Sequence, residues 1–84
     1  MKKLAQEVYF YTKENCLLCD EALMHLKTLQ HLHNFKLVTR DIYTKEQWLE
    51  AYQLTIPVIE VKGQKIYGNE MSLTNIERFL SHHL

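Results

Sequence analysis

Val8-Tyr9-Phe10-Tyr11-Thr12-Lys13-Glu14-Asn15-Cys16-Leu17-Leu18-Cys19-Asp20-Glu21-Ala22 is the stretch on which the architecture of this chain turns. From Val8 to Tyr11 the residues are continuously apolar and β-favouring, which predicts a strand covered on both faces, hence a central strand of a parallel sheet. Thr12 to Asn15 interrupts that run with polar residues. Beyond the interruption Cys19, Ala22, Leu23, Leu26 and Leu29 recur at intervals of three and four, the stripe of an amphipathic helix with its end near His33-Asn34. A strand therefore hands over to a helix through a short loop, and two cysteines sit at the hand-over.

Further along the chain, Phe35 to Ile42 has extended-strand character. Thr44 followed by Gln47 has capping-box spacing for a short helix that turns Trp48, Leu49 and Tyr52 inward. Val58 to Val61 and Gln64 to Tyr67 are short strands separated by Lys62-Gly63, which predicts an antiparallel hairpin with Gly63 in the turn. Ser72 or Thr74 is the expected N-cap of a last helix whose buried stripe is Leu73, Ile76, Phe79, Leu80 and Leu84. The order βαβαββα is that of an α/β protein. It packs as a four-stranded mixed sheet with helices on both faces, its first unit a right-handed crossover. Residues 1–84 read as a single domain without repeats, linkers or low-complexity segments.

Ten basic side chains balance ten acidic ones, so the charge excess that would hold a nucleic-acid backbone or an anionic membrane is missing. Neither is expected as a partner, and a monomer is the default expectation. Met1-Lys2-Lys3 looks like the start of a signal peptide, but Gln6 and Glu7 break any apolar segment behind it, and no small-residue cleavage site follows. The reading is an untargeted chain. With two cysteines and no membrane-length apolar run, a reducing, cytoplasmic setting is expected.

The placement of Cys16-Leu17-Leu18-Cys19 says more than its spacing. A sulfur at a helix N-terminus faces unpaired N–H groups and the positive end of the helix dipole, both of which favour the thiolate that attacks disulfides. Cys16, outermost, is the expected nucleophile, and Cys19, one turn in and on the core face, the expected resolving thiol. Two intervening residues let the sulfurs bond without unwinding the helix. Lys13 favours the thiolate while Glu14, Asp20 and Glu21 oppose it; Asp20 and Glu21 also stabilise the first helical turn. The competing use of such a pair is half a zinc site. His31 and His33 follow at finger-like distance, but the single residue between them falls short of the roughly three to five a finger helix requires. No metal ligands are assigned, and His25, His31, His33, His82 and His83 are read as solvent-facing helix residues.

The lone proline, Pro57, precedes the third strand, where a missing N–H is tolerated. Nothing in the periodicity asks for a cis bond there. Tyr11 to Cys19, then Thr55-Ile56-Pro57-Val58, then Gly63 and Gly68, resemble the glutaredoxin family in order and spacing over nearly the whole chain. Within it the chain is most similar to small glutaredoxin-like proteins carrying C-x-x-C-D-E-A and I-P-V, here Cys16 to Ala22 and Ile56 to Val58.

The resemblance implies a thioredoxin fold, a cis Ile56–Pro57 bond beside the cysteines, and Ile56 backbone groups free to pair with an extended thiol substrate. By the same carry-over Lys13 matches a position that contacts the glutathione carboxylate, and Thr55 opens the loop before the proline. Leu17 and Leu18 stand where glutathione-using relatives usually have Pro-Tyr. Tyr67-Gly68-Asn69-Glu70 stands in place of a Gly-Gly-x-Asp stretch, with Gly68 and Glu70 as the counterparts that would hold the γ-glutamyl group. The substrate-binding set is thus Lys13, Leu17, Thr55, Ile56, Pro57, Gly68 and Glu70. The expected function is thiol-disulfide exchange on protein or glutathione mixed disulfides, with no bound cofactor and glutathione as a co-substrate. Three alternatives remain open: a thioredoxin-like donor recharged by a flavoprotein reductase, a non-catalytic binding module using Leu17, Leu18 and Pro57 as an apolar patch, and metal or iron-sulfur binding through Cys16.

Overall fold

A computed structural model describes residues 6–84. Met1-Lys2-Lys3, on which the targeting argument rests, lies outside the described residues. Strand β1 spans Gln6–Thr12, helix α1 Leu17–Leu29, β2 Phe35–Asp41, α2 Glu46–Tyr52, β3 Val58–Val61, β4 Gln64–Ile66 and α3 Leu73–His83. The sheet order is β2-β1-β3-β4, with β1 parallel to β2 and antiparallel to β3. This is the thioredoxin-like βαβαββα topology, and β1 is central as its apolar run requires.

Alternation along β1 divides the interior into two layers. Val8 and Phe10 join Ile59 and Val61, from β3, in a cluster completed by Ala22, Leu26 and Leu29 of α1 and Ile76, Phe79 and Leu80 of α3. Tyr11 joins Val58, Ile42 and Tyr52 on the opposite face, where α2 packs with Trp48 and Leu49. Helices thus cover both faces. The pairing Tyr11↔Val58 sets the end of β1 against the start of β3. Pro57 therefore lies level with Thr12, where the chain leaves the sheet for Cys16.

Several boundaries differ from the sequence reading. Helix α1 stops at Leu29, short of His33-Asn34, and the Gln30 side chain donates to the Phe35 carbonyl at 3.2 Å as the chain turns into β2. Ile42 leaves the strand for a 3-10 turn, Ile42–Thr44, capped by the Asp41 carboxylate through the Tyr43 N–H at 2.9 Å. The Thr44 hydroxyl donates to the Asp41 carbonyl at 2.6 Å, and Thr44 itself closes the 3-10 turn, so the N-cap position of α2 falls one residue later, on Lys45, and has no side-chain cap. Tyr67 lies beyond β4 because Gly68 turns away to donate its N–H to the Thr55 carbonyl at 2.9 Å. Ser72 does cap α3, accepting from the Asn75 N–H at 3.1 Å, but Leu73 is exposed and the buried stripe starts at Ile76.

The histidines also depart from a uniform solvent-facing set. His31 and His33 follow α1 rather than lying in it, and His33 is half-buried, 4.0 Å from Glu77 of α3. His25 is half-buried, and the His83 ring lies 4.6 Å from that of Phe79.

Candidate functional site

The loop that carries the cysteines owes its shape to Asn15. Its φ of 57° is left-handed, a region asparagine tolerates better than most residues, and it turns the chain from the sheet edge into the helix. Cys16 then stands at the N-cap in extended conformation, φ −127° and ψ 103°. Its side chain takes the role that serine or aspartate usually fills, accepting the Cys19 N–H at 3.2 Å while its carbonyl accepts the Asp20 N–H at 3.0 Å. Cys16 and Cys19 are joined as a disulfide with Cα atoms 5.2 Å apart.

The two sulfurs differ in environment. Cys16 is half-exposed, while Cys19 is buried among Ala22, Leu26 and the sheet. When the bond is reduced, the N–H aimed at Cys16 and the helix N-terminus behind it both favour a thiolate at the accessible sulfur. The buried sulfur stays one helical turn away. A dithiol–disulfide pair so arranged can exchange two electrons with a thiol or disulfide.

Beside the pair lies a cleft of about 430 Å³ lined by Leu18, Leu54, Thr55, Ile56, Tyr67, Gly68 and Asn69. The Ile56–Pro57 peptide bond at its edge is cis, and Pro57 itself is buried. Ile56 packs against both core layers, which anchors the cleft wall. Its N–H is not free for a substrate, because it donates to the Tyr52 carbonyl at 3.0 Å, a continuation of the turn that ends α2.

The structure gathers some of the sequence-derived substrate residues and separates others. Thr55, Ile56 and Gly68 meet at the cleft. Leu17 is exposed at the start of α1, next to Cys16. Lys13 instead lines a depression on the β2 side of the cysteine loop, with Glu14, Asn15, Asp41 and Tyr43. Glu70 faces a third depression along α3, with Ile66, Asn75, Arg78, Phe79, His82 and His83. Leu54, Tyr67 and Asn69 line the cleft without having been singled out as individual contacts; the exposed apolar residue immediately before Thr55-Ile56-Pro57 is the signal that points to Leu54. Among the described residues no cluster of three or more His, Cys, Asp or Glu is placed to hold a metal ion. None of the described helices is long and apolar enough to cross a membrane.

The sequence profile of the glutaredoxin-like domain (DUF836) matches residues 7–82. Among solved structures, the solution NMR structure of protein Ne2328 from Nitrosomonas europaea superposes with a TM-score of 0.74 at 23% identity, covering 95% of this chain and 96% of that one. That likeness is one of fold. No curated protein matches the chain.

Proposed function

This chain belongs to the glutaredoxin-like domain family, and from that membership we propose that it is a thiol-disulfide oxidoreductase working by a dithiol mechanism. The observation that carries the reading is the asymmetric cysteine pair: a half-exposed Cys16 whose sulfur receives the Cys19 N–H at 3.2 Å, bonded to a buried Cys19.

In the reduced protein the Cys16 thiolate attacks one sulfur of a substrate disulfide. The Cys16–substrate bond forms, the substrate S–S bond breaks, and the first substrate thiolate leaves. The Cys19 thiolate then attacks the Cys16 sulfur and expels the second. Two electrons pass from the dithiol to the substrate, which takes up two protons as its thiols form; an external thiol later restores the pair. Substrates are protein or glutathione mixed disulfides. The protein acts as a monomer in the cytoplasm, with no bound cofactor, because the two sulfurs carry the electrons themselves.

A second electron source is favoured by one feature. Lys13 and Glu70, the counterparts of glutathione-holding residues, face depressions other than the cleft. A flavoprotein reductase is therefore a natural alternative to glutathione in recharging the pair.

The test is equilibration of the protein in a glutathione redox buffer, read by mass spectrometry. The expected result is a reversible two-electron transition between roughly −270 and −180 mV, abolished in Cys16→Ser. A pair that never forms a disulfide in that buffer, or a Cys16→Ser protein that still turns over, rejects the mechanism.

A further inference from the structure

The cleft next to Cys16 has a chemistry of its own. Leu18, Leu54, Ile56 and Tyr67 supply most of its wall, Thr55 and Asn69 its polar groups, and no charged side chain lines it. Two of its lining leucines are widely exposed, Leu18 at 55% and Leu54 at 94%, and so is Leu17, next to Cys16 in the chain, at 81%. Scattered single leucines on a surface need no explanation, but Leu18 and Leu54 share one cleft wall, and Leu17 and Leu18 stand between the two cysteines.

Glutathione brings two carboxylates and an ammonium, and it would find no complementary charge here. Lys13 sits on the β2 side of the cysteine loop together with Glu14 and Asp41, whereas the cleft lies on the β3 and β4 side. The mismatch in charge and the match in apolar surface point the same way. We infer that the cleft receives an apolar side chain flanking the cysteine of a protein disulfide, so that the preferred substrate is a disulfide in an apolar polypeptide segment rather than glutathione disulfide. This rests on the redox reading above and narrows it to a substrate class.

The occupant is a partner segment lying across Leu18 and Leu54 while its sulfur meets Cys16. Each turnover oxidises the dithiol to the Cys16–Cys19 disulfide and reduces the peptide disulfide to two thiols. Desolvation of the flanking side chain against Leu54 and Tyr67 is the source of preference, and one apolar group in such a site discriminates by about tenfold or more.

The experiment uses the whole protein, reduced with dithiothreitol and freed of it. It is offered symmetric disulfides of two short peptides that differ only in having leucine or serine on either side of the cysteine, and separately glutathione disulfide and hydroxyethyl disulfide. Acid-quenched samples are read by mass spectrometry. The expected outcome is that the leucine-flanked peptide is reduced about tenfold faster than the serine-flanked one and than glutathione disulfide. Leu54→Ser, at a site too exposed to threaten folding, lowers the leucine-to-serine ratio toward unity, and Leu18→Ser does the same. Equal rates on the two peptides, or glutathione disulfide as the fastest substrate, in a protein that still reduces hydroxyethyl disulfide, overturn the cleft assignment and leave the redox reading standing. No reaction with any of the four overturns both.

Discussion

A β-carbon built on Gly68 would lie 2.8 Å from the Ile56 carbonyl oxygen and 3.1 Å from that of Thr55. Both are backbone atoms of the loop that walls the cleft, and the Gly68 N–H is bonded to the same Thr55 carbonyl. Gly68→Ala must therefore push that loop away. The expected cost is about 1–3 kcal/mol of stability in urea unfolding, with a slower disulfide exchange because Thr55 and Ile56 move with it. Gly63 is the contrast: its φ is +81°, but nothing lies within 4 Å of a β-carbon there. Gly63→Ala should cost only about 1 kcal/mol of left-handed strain and leave exchange unchanged. If the two variants behave alike, the close approach is not what Gly68 serves. The cysteines were legible from sequence because a strand's apolar run and a helix's stripe bracket them locally. The placement of Lys13 and Glu70 away from the cleft was not, since position along the chain does not say on which side of the cysteine loop a residue falls. Gly68 could be matched by position, but its reason is a contact with a loop distant in sequence.

At the scale of elements, the β3–β4 hairpin turns on two residues in left-handed conformation, Lys62 at φ 51° and Gly63 at φ 81°. That is the backbone of the tight turn whose twist suits paired strands, and asparagine before glycine is its preferred sequence. Lysine at the first position carries strain that asparagine relieves. Lys62→Asn is expected to stabilise the protein by about 0.5 kcal/mol, read as a higher urea midpoint at unchanged slope. A lower midpoint would mean that the lysine makes a contact worth more than the strain. The hairpin was legible because glycine punctuates two β-favouring runs; the left-handed lysine was not, as nothing in its chemistry asks for that conformation. The helix caps teach the same distinction. Ser72 caps α3, because it stands at the N-cap position in extended conformation with its oxygen accepting the Asn75 N–H. Thr44 does not cap α2, because the 3-10 turn before the helix holds it one residue too early and leaves Lys45 at the N-cap position.

Across the whole molecule, one polar clamp ties three strands together under α2. The Tyr11 hydroxyl of β1 donates to Glu60 of β3 at 2.8 Å and accepts from Arg40 of β2 at 2.8 Å, and the guanidinium lies 4.1 Å above the Tyr9 ring. Trp48 and Tyr52 cover it from α2, their ring centroids 5.8 and 4.4 Å from that of Tyr11. Alternation predicts only that Tyr11 faces α2; the clamp depends on three strands meeting, which no local pattern encodes. Burial and the hydrogen bond to Glu60 push the Tyr11 phenol up to about 12. In the unfolded chain a tyrosine titrates near pH 10, roughly its free value. The fold thus favours the protonated phenol, so this contribution to stability is complete below about pH 10 and is lost as pH rises toward 12. Tyr9, raised by its hydrogen bond to Glu7, and Lys65, raised by the neighbouring Tyr52, act in the same alkaline direction. Tyr11→Phe should be less stable than the parent at neutral pH, having lost both hydrogen bonds, yet its stability should fall less steeply between pH 10 and 12, the remaining slope belonging to Tyr9 and Lys65. Urea midpoints across that range decide the matter: parallel declines in parent and variant would show that alkaline unfolding starts elsewhere than at the clamp.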